Sequence, residues 1–468
     1  MKYISTRGNC PEQSFSEILL TGLAPDGGLY LPDQWPELDT TWLSRLSGLS
    51  YGSLAYQVMQ PFVGDDVDSD EFHDIVENVY SPDNGIFDHS AVAPLRQLGP
   101  NVWLMELFHG PTLSFKDVAM QLLGPLFDYV LKKQNKRITI LAATSGDTGS
   151  AAIHGCQGRD NIDIVVLHPH EKTSEVQRRQ MTTVKAGNVH NIAVRGNFDD
   201  CQAMVKTLFG EEDFKKKMNL TAVNSINWAR IMAQTVYYYA AALSLGGPKR
   251  GVSFVVPTGN FGNVFAAYVA KKMGLPIERL IIANNPNDTL ARFFNSGRMR
   301  PGKVAASLSP SMDIQVPSNF ERYLFELLKR NQVQLNKIMA DLKQRRGFNL
   351  SEDMMPRMQN DFQGYSASDS ETLDMIQMCY ETTGIVVDPH TAVGLQAAQA
   401  LHDDPETPLV VLACAHPSKF PETVERALGA SPPMPRKLAS VMNSAEKYDV
   451  IDNNIVQLRE YLTAMRGG

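Results

Sequence analysis

The chain has 468 residues, of which 43% are hydrophobic and 20% charged, and its formal net charge is −7. This length exceeds what one hydrophobic core usually supports, so we expect two or three domains. An acidic chain of ordinary globular composition argues against nucleic acid or an anionic membrane as the main partner. Any anionic substrate would need a local cluster of positive groups.

The five cysteines are scattered along the chain and contain no C-x-x-C pair. This pattern predicts neither a disulfide framework nor a zinc site, so no metal is expected. The first residues, MKYISTRGNC, lack the apolar stretch of a signal peptide, and no later apolar run is long enough to span a bilayer. Together these features predict a cytoplasmic protein that binds no membrane.

Residues 1–93 form the first block, which we interpret as an N-terminal accessory domain. The block contains GLAPDGGLYLPDQWP, residues 22–36, whose glycines and prolines predict turns. It carries no evident catalytic motif.

From about residue 94 onward, apolar runs of strand length alternate with segments of helical periodicity. Alternation of this kind predicts parallel sheets covered on both faces, which bind ligands where the carboxyl ends of strands meet helix N-termini. The Gly124-Pro125 pair predicts a kink or a restart in the helix over residues 117–133. The irregular segment 301–364 is interpreted as an insertion. The predicted strands are 102–108, 138–143, 162–167, 189–194, 252–256, 279–283, 385–387 and 409–414.

Lys116 lies in HGPTLSFKD, residues 109–117, directly after the first of these strands. A lysine that a stiff loop holds and partly desolvates can form a Schiff base or carry protons. Lysines are mostly exposed, however, and a single lysine in a loop is more often a solvated residue. Lys116 alone therefore indicates little.

Two glycine-rich loops each lie between a predicted strand and a predicted helix: AATSGDTGSAA, residues 142–152, and VVPTGNFGN, residues 255–263. Glycines let the backbone approach an anion, and the N–H groups at a helix start bind it. A simple capped turn explains the first loop equally well. Neither loop matches a Walker or dinucleotide motif, but two such loops in one chain favour phosphate binding.

Two further segments place polar residues beside apolar elements. NSINWARI, residues 224–231, sets Asn224 and Ser225 before a helix that carries Arg230, a pattern suited to a phosphate or carboxylate. A helix cap followed by an exposed arginine is the commoner reason for it. LACAHPSKFPE, residues 412–422, delivers His416 at the end of a buried strand, where a lone histidine is more often structural.

Together these segments resemble the threonine synthases, a family of pyridoxal-phosphate enzymes with the tryptophan-synthase-β fold. PTLSFKD is similar to the family's cofactor-lysine motif, ATSGDTG to its Ser-Gly-Asp-Thr-Gly loop, and PTGNFGN to its cofactor-phosphate loop. AVNSINWARI, AHPSKFPE and GLAPDGGLYLP also resemble family sequence, and the last is absent from threonine dehydratases and cysteine synthases. The motifs run in the expected order from about residue 22 to residue 422.

The resemblance implies an α/β protein of fold type II, with two parallel-sheet domains, the cofactor between them, and an N-terminal accessory domain. We assign residues 94–120 and 245–468 to the large cofactor-binding domain and residues 121–244 to a smaller α/β domain. The implied enzyme is a lyase acting on phosphates, which converts O-phospho-L-homoserine and water to L-threonine and phosphate in the last step of threonine biosynthesis. We expect a monomer or simple homo-oligomer.

The resemblance also implies roles for individual residues. Lys116 would hold pyridoxal phosphate covalently and, once released, move protons at Cα and Cβ of the substrate. Phe115 would flank it, Asp147 would face the ring hydroxyl, and Cys414 would face the pyridine nitrogen. The backbone that would hold the cofactor phosphate belongs to Gly259, Asn260, Phe261, Gly262 and Asn263. The candidates for the substrate's phosphate and carboxylate are Ser145, Thr148, Asn224, Ser225 and Arg230.

Two positions differ from what the family pattern leads us to expect. Relatives in the wider fold often carry Asn where this chain has Asp147, although Asp is usual in several threonine synthases. The form ATAHP is common in the family, whereas this chain reads ACAHP and so has Cys414 in place of Thr. Because a thiol is a weaker hydrogen-bond partner than a hydroxyl, we expect a ring nitrogen that is unprotonated or weakly bonded, in an enzyme that remains active.

Three other functions fit parts of the pattern. A threonine or serine dehydratase would use the same lysine and cofactor loop, but it would need neither the cluster around Arg230 nor the N-terminal block. A protein that binds pyridoxal phosphate or a phospho-ligand without turnover would be expected to lack Lys116 or the glycine loops, and both are intact. A nucleotide-binding α/β protein would need a Walker or dinucleotide motif.

Overall fold

The structure, a computed structural model, describes residues 1–144, 146–344 and 346–467. None of the helices in these ranges combines the length and the apolar character needed to cross a bilayer. The strands are β1 Tyr3–Ser5, β2 Tyr30–Pro32, β3 Leu95–Gly99, β4 Val102–Glu106, β5 Ile138–Ala143, β6 Ile162–Pro169, β7 Val189–Arg195, β8 Leu220–Thr221, β9 Val252–Pro257, β10 Ile277–Asn284, β11 Arg298–Met299, β12 Phe348–Asn349, β13 Gln363–Ser366, β14 Leu409–Ala413 and β15 Asp449–Asp452. The helices are α1 Phe15–Thr21, α2 Thr40–Arg45, α3 Tyr51–Val63, α4 Ser69–Tyr80, α5 Lys116–Lys133, α6 Asp147–Cys156, α7 Glu175–Thr182, α8 Phe198–Gly210, α9 Glu212–Met218, α10 Trp228–Ser244, α11 Gly262–Lys272, α12 Thr289–Ser296, α13 Phe320–Leu327, α14 Gln332–Lys343, α15 Met355–Asp361, α16 Asp369–Thr383, α17 Pro389–Leu401, α18 Pro421–Leu428, α19 Arg436–Met442 and α20 Ile455–Gly467.

The chain folds into two compact units. Unit 1 comprises Met1–Ile18, Leu23–Phe115 and Ser225–Pro433, and unit 2 comprises Leu19–Gly22, Lys116–Asn224 and the chain from Met434 onward. The three domain ranges drawn from the sequence stay predictions.

Unit 1 is built on a six-stranded sheet in the order β13-β10-β9-β14-β4-β3. The first five strands run parallel, and β3 pairs antiparallel with β4 at one edge. Every residue of β9 and β14 is buried, which suits two central strands made of almost continuous apolar residues. Because β9 and β14 are parallel neighbours, the residues that follow Pro257 and Ala413 both lie at the carboxyl ends of the strands.

The core of unit 1 lies under α16 and α17. Ala392 and Val393 of α17 pack with Val255 of β9 and Val411 of β14 in one buried cluster. Small residues on α17 thus allow the helix to lie directly on the central strands. At the N-terminus of the chain, the hydroxyl of Tyr3 donates to the carbonyl oxygen of Phe62 at 2.7 Å.

Unit 2 contains a five-stranded sheet, β15-β7-β6-β5-β8, in which every pair is parallel. All residues of β6 are buried. Helices α5 and α6 cross with their backbones in close contact: a side chain at Gly124 would collide with the carbonyl of Gly155, and one at Gly155 with the carbonyl of Met120. This crossing fixes the beginning of α5 relative to the beginning of α6.

The predicted α/β fold with parallel sheets is confirmed, with two corrections to its elements. Residues 385–387 do not form a strand; they connect α16 to α17, and Ile385 and Val387 are apolar because they are buried in the core. The predicted restart at Gly124-Pro125 is also wrong, since α5 continues through both residues, while the kink stays a prediction. Gly124 is explained by the close crossing with α6 rather than by a break.

Candidate functional site

Lys116 is the first residue of α5 and is buried in unit 2. Its Nζ lies 3.1 Å from Oδ2 of Asp147, and only 11% and 7% of the two side chains are exposed. A lysine and a carboxylate that are both removed from water stabilise each other only as a close pair. The structure therefore brings together the predicted cofactor lysine and the residue predicted to face the ring hydroxyl.

The loop before α6 holds Asp147 in place. The hydroxyl of Thr144 accepts hydrogen bonds from the N–H groups of Gly146 and Gly149, both at 3.0 Å. Gly146 has φ +147°, a conformation that favours glycine. On its other side, Oδ1 of Asp147 accepts from Nε2 of Gln177 at 3.1 Å. One carboxylate thus has each oxygen committed to a different, well-placed donor.

The second glycine loop, in unit 1, links β9 to α11. Phe261 caps α11 in the left-handed conformation, with φ +65°. Its ring is buried against Phe294 and Phe320, at centroid distances of 6.0 and 5.5 Å. Aromatic packing therefore holds a strained backbone at the start of a helix, an arrangement that is typical of a binding loop.

Gly259 lies where this loop meets the segment around Ser311. A side chain at Gly259 would place its Cβ 2.6 Å from the carbonyl oxygen of Ser311 and 3.2 Å from Cα of Met312. Such backbone contacts leave no room for any residue but glycine. The loop is therefore shaped by a close approach of two backbones.

Arg230 lies on α10 in unit 1 and is 4% exposed. Burial lowers the pKa of its guanidinium to about 10 from the ordinary 12.5. Within the described residues, Nε and Nη1 of Arg230 and Nδ2 of Asn263 have no hydrogen-bond partner. Buried donors without acceptors are costly, and charge-assisted bonds to phosphate or carboxylate oxygens would satisfy them. These donors therefore fit a bound anion.

Two tyrosines connect α10 to the glycine loop. The hydroxyls of Tyr237 and Tyr238 both donate to Oδ1 of Asn263, the second at 2.8 Å. The charge of Arg230 acts on Tyr237, whose pKa is raised by burial and by neighbouring Tyr238 and Cys414 and lowered by Arg230. The loop, the arginine and Cys414 thus belong to one buried cluster in unit 1.

Cys414 follows β14 and is 6% exposed. Its carbonyl oxygen accepts from the N–H of Phe115 at 2.9 Å, beside a bridge between Ser114 and Ala415. Its own N–H donates to Oγ1 of Thr391 at 3.3 Å. The structure therefore brings together Phe115 and Cys414, which the sequence assigns to the same cofactor.

The other residues predicted to bind the substrate are divided between the two units. Ser225 shares a hydrogen bond of 3.1 Å with Ser318, which in turn donates to Oδ1 of Asn260 at 3.0 Å. Asn224 is exposed and ends a segment of unit 2, and Ser225 begins the third segment of unit 1. Thr148 is half-buried in the first turn of α6. Ser145 lies outside the described residues.

Sequence reasoning missed several residues that shape the site. Tyr237 and Tyr238 stand in α10, and the run of three tyrosines was a signal that buried hydroxyls need partners. His390 and Thr391 were assigned no role. The Asp-Pro pair before them was a signal for a helix N-terminus at that point. Gln177 has no signal in the sequence.

Comparison with known proteins identifies the same chemistry. The family model described as pyridoxal-phosphate dependent enzyme matches residues 88–415, threonine synthase N terminus matches residues 2–80, and threonine synthase, C-terminal, matches residues 391–462. A curated threonine synthase of Pseudomonas aeruginosa is 49% identical over 464 residues, which cover 99% of this chain and 98% of the relative.

Solved structures show the same similarity. The crystal structure of pyridoxal-phosphate-bound threonine synthase from Brucella melitensis has a TM-score of 0.97 at 48% identity and covers 99% of each chain. The crystal structure of threonine synthase from yeast has a TM-score of 0.94 at 37% identity, covering 100% of this chain and 99% of that one.

Proposed function

This chain belongs to the threonine synthase family, and we propose that Lys116 is the residue through which it carries out that family's pyridoxal-phosphate-dependent reaction. The reaction converts O-phospho-L-homoserine and water to L-threonine and phosphate. Pyridoxal phosphate, when bound, supplies the electron sink that makes the protons at Cα and Cβ acidic. The observation that carries the proposal is the buried Lys116–Asp147 pair, with 3.1 Å between Nζ and Oδ2.

Lys116 is the proton carrier of the site. Its amine stands at the start of a helix, where the crossing of α5 with α6 limits its movement. A proton carrier must be within hydrogen-bond reach of the atoms that gain and lose the proton, and a rigid mounting supports that requirement. Asp147 stabilises the ammonium form between transfers, and Gln177 keeps its carboxylate oriented.

The loop from Gly259 to Asn263 holds the cofactor phosphate. The N-terminus of α11 favours negative charge there, and Nδ2 of Asn263 is a buried donor without a partner in the described structure. Phe115 and Cys414 face the cofactor ring, with Cys414 at the pyridine nitrogen. The loop and the ring contacts together orient the cofactor.

Arg230 supplies positive charge to the anionic groups of the substrate. The proposal rests on its buried guanidinium, with Nε and Nη1 unpaired among the described residues. The substrate and the cofactor each carry a phosphate, so an acidic chain needs a second set of donors besides the glycine loop. The polar residues proposed to complete this set are Ser145, Thr148, Asn224 and Ser225.

The first experiment supplies O-phospho-L-homoserine to the purified protein loaded with pyridoxal phosphate and quantifies threonine, phosphate and 2-oxobutyrate separately. Equal amounts of threonine and phosphate are expected. Phosphate accompanied mainly by 2-oxobutyrate would instead indicate a lyase that loses its intermediate before water adds.

Two lysine variants test the role of Lys116. The turnover of Lys116→Ala should be lower than that of the unaltered protein by a factor of about 100 or more, because a positioned proton carrier contributes at least that factor to the rate. Lys132, exposed near the other end of the same helix, gives the control, and Lys132→Ala should turn over substrate like the unaltered protein. Full turnover by Lys116→Ala would refute the proposal.

The setting of the reaction is part of the proposal. We place the enzyme in the cytoplasm as a monomer or simple homo-oligomer, and its net charge of −7 argues against a nucleic-acid partner. Light scattering of the purified protein measures its mass in solution, and a higher-order assembly would contradict this proposal.

A further inference from the structure

The buried carboxylate of Asp388 begins α17 and makes more hydrogen bonds than a helix cap needs. It is fully buried, and Oδ1 accepts from the backbone N–H of His390 at 2.9 Å, which is the ordinary cap. Oδ1 also lies 2.7 Å from Nδ1 of His390, and Oδ2 accepts from the hydroxyl of Thr391. The two additional partners each lead to a different part of the cofactor site.

The first connection runs through His390 to the phosphate loop. Nε2 of His390 accepts from the backbone N–H of Ser311 at 3.3 Å. A ring that accepts at Nε2 carries its hydrogen at Nδ1, so Nδ1 donates to Asp388. The segment that contains Ser311 is the one that packs against Gly259, where a side chain would come within 2.6 Å of the Ser311 carbonyl. His390 therefore holds the backbone of Ser311, against which Gly259 of the phosphate loop packs.

The second connection runs through Thr391 to the residue proposed for the pyridine nitrogen. The Thr391 hydroxyl gives its hydrogen to Asp388 and accepts the backbone N–H of Cys414 at 3.3 Å. The Cys414 carbonyl accepts in turn from the N–H of Phe115 at 2.9 Å. Thr391 therefore fixes the backbone at the ring end of the proposed site.

We propose that Asp388 is a positioning residue that fixes the position of the phosphate loop relative to Cys414. It acts on the loop through His390 and on Cys414 through Thr391. The inference rests on the proposed function, because it needs the loop and Cys414 to hold two ends of one cofactor. All of these residues belong to unit 1. Since both connections start from one carboxylate with no exposed surface, the two ends cannot shift independently without breaking a buried charge-assisted bond.

Two substitutions of His390 separate its two hydrogen bonds. His390→Asn keeps a donor where Nδ1 stands, so it retains the bond to Asp388 and leaves the Ser311 N–H without its acceptor. His390→Gln places an acceptor near the position of Nε2, so it retains the bond from the Ser311 N–H and loses the bond to Asp388. We expect both variants to bind pyridoxal phosphate roughly threefold to tenfold more weakly, the effect of one lost hydrogen bond, because the proposal needs both bonds. If His390→Gln bound the cofactor like the unaltered protein, Asp388 would not act through His390.

Two substitutions of Thr391 address the other end. Thr391→Val keeps the shape and removes the hydroxyl, whereas Thr391→Ser restores it. Two signals of the bound cofactor are recorded for every variant: the phosphorus NMR shift of its phosphate and the visible absorption of its ring. His390→Asn should move the phosphorus signal alone, Thr391→Val should move the absorption band alone, and Thr391→Ser should return the band to its original position.

Gly259→Ala separates failure of this inference from failure of the proposed function. If Gly259→Ala leaves the phosphorus signal unchanged, the loop does not hold the phosphate, and both the residue assignment and this inference fall. If Gly259→Ala moves it but His390→Asn does not, only the inference falls. Equal movement of both signals in His390→Asn and Thr391→Val, or a loss confined to unfolding stability, would show that Asp388 merely caps a helix.

Discussion

Arg230 gives the most demanding test of the proposed site, because its buried Nε and Nη1 lack an acceptor among the described residues, which destabilises the protein that lacks ligand. Burial lowers its pKa from 12.5 to about 10. At about 1.4 kcal/mol for each pH unit, this corresponds to a cost of roughly 3 kcal/mol. Arg230→Met keeps an apolar stem and removes the charge, so we expect the ligand-free variant to gain about 1–3 kcal/mol in free energy of unfolding.

The sign of this effect follows from protonation. At pH 7 both the folded and the unfolded chain carry the charge, so the full cost is present there. Because the folded form has the lower pKa, the unfolded chain binds more protons between pH 10 and 12.5. The cost is therefore relieved only as the pH rises through that window, and measurements at neutral pH record all of it.

The assay is urea unfolding of the cofactor-free proteins at neutral pH, without and with inorganic phosphate. At 100 times its dissociation constant, phosphate should stabilise the unaltered protein by about 2.7 kcal/mol, and Arg230→Met by much less. Arg426, exposed on α18, provides the control, and Arg426→Met should change stability by less than about 0.5 kcal/mol. A ligand-free Arg230→Met that is less stable than the unaltered protein would refute the reasoning. So would an undiminished response to phosphate.

Three further predictions concern the loop, the ring contact and the response to acid. Gly259→Ala should lose about 1–3 kcal/mol in urea unfolding, because its Cβ would lie 2.6 Å from the Ser311 carbonyl, whereas Gly302→Ala, with its nearest neighbour at 3.5 Å, should be tolerated. Cys414→Thr should retain turnover, and a sharp fall in measured turnover would contradict the expected weak ring-nitrogen bond. Burial lowers the pKa of His168 to about 4 from 6.5, so its contribution to stability is complete above pH 6.5 and falls by up to roughly 3 kcal/mol as the pH drops to 4. The free energy of unfolding of His168→Leu, measured in urea, should therefore change less with pH over this range.

The strands and glycine loops could be predicted because their signals are local. An apolar run followed by Gly, Asn and Thr marks the end of a buried parallel strand, and β5 and β9 end where such runs end. The pair of Lys116 with Asp147 has no such signal. It depends on the crossing of two helices at Gly124 and Gly155, which is a tertiary contact that periodicity does not encode.

Residues 385–391 show the opposite limit. Their apolar start was predicted to be a strand because burial produces the same pattern whether or not the backbone joins a sheet. The polar residues that follow, Asp388, His390 and Thr391, stand on a helix and were assigned no role. Their importance arises from what lies across from them, Ser311 and Cys414, and these partners are far away along the chain.

The same contacts support the expectation that the protein is active with a cysteine at position 414. The backbone of this residue makes two hydrogen bonds: the N–H donates to Thr391 and the carbonyl accepts from Phe115. The sulfur lies 3.8 Å from the carbonyl oxygen of Leu412. If Cys414 faces the pyridine nitrogen as proposed, a thiol in place of a hydroxyl would change the strength of one bond to the ring without moving the backbone that holds the residue in place. The backbone position of Cys414 depends on Thr391. We therefore expect substitutions of Thr391 to shift the absorption band of the cofactor, whereas Cys414→Thr should retain turnover.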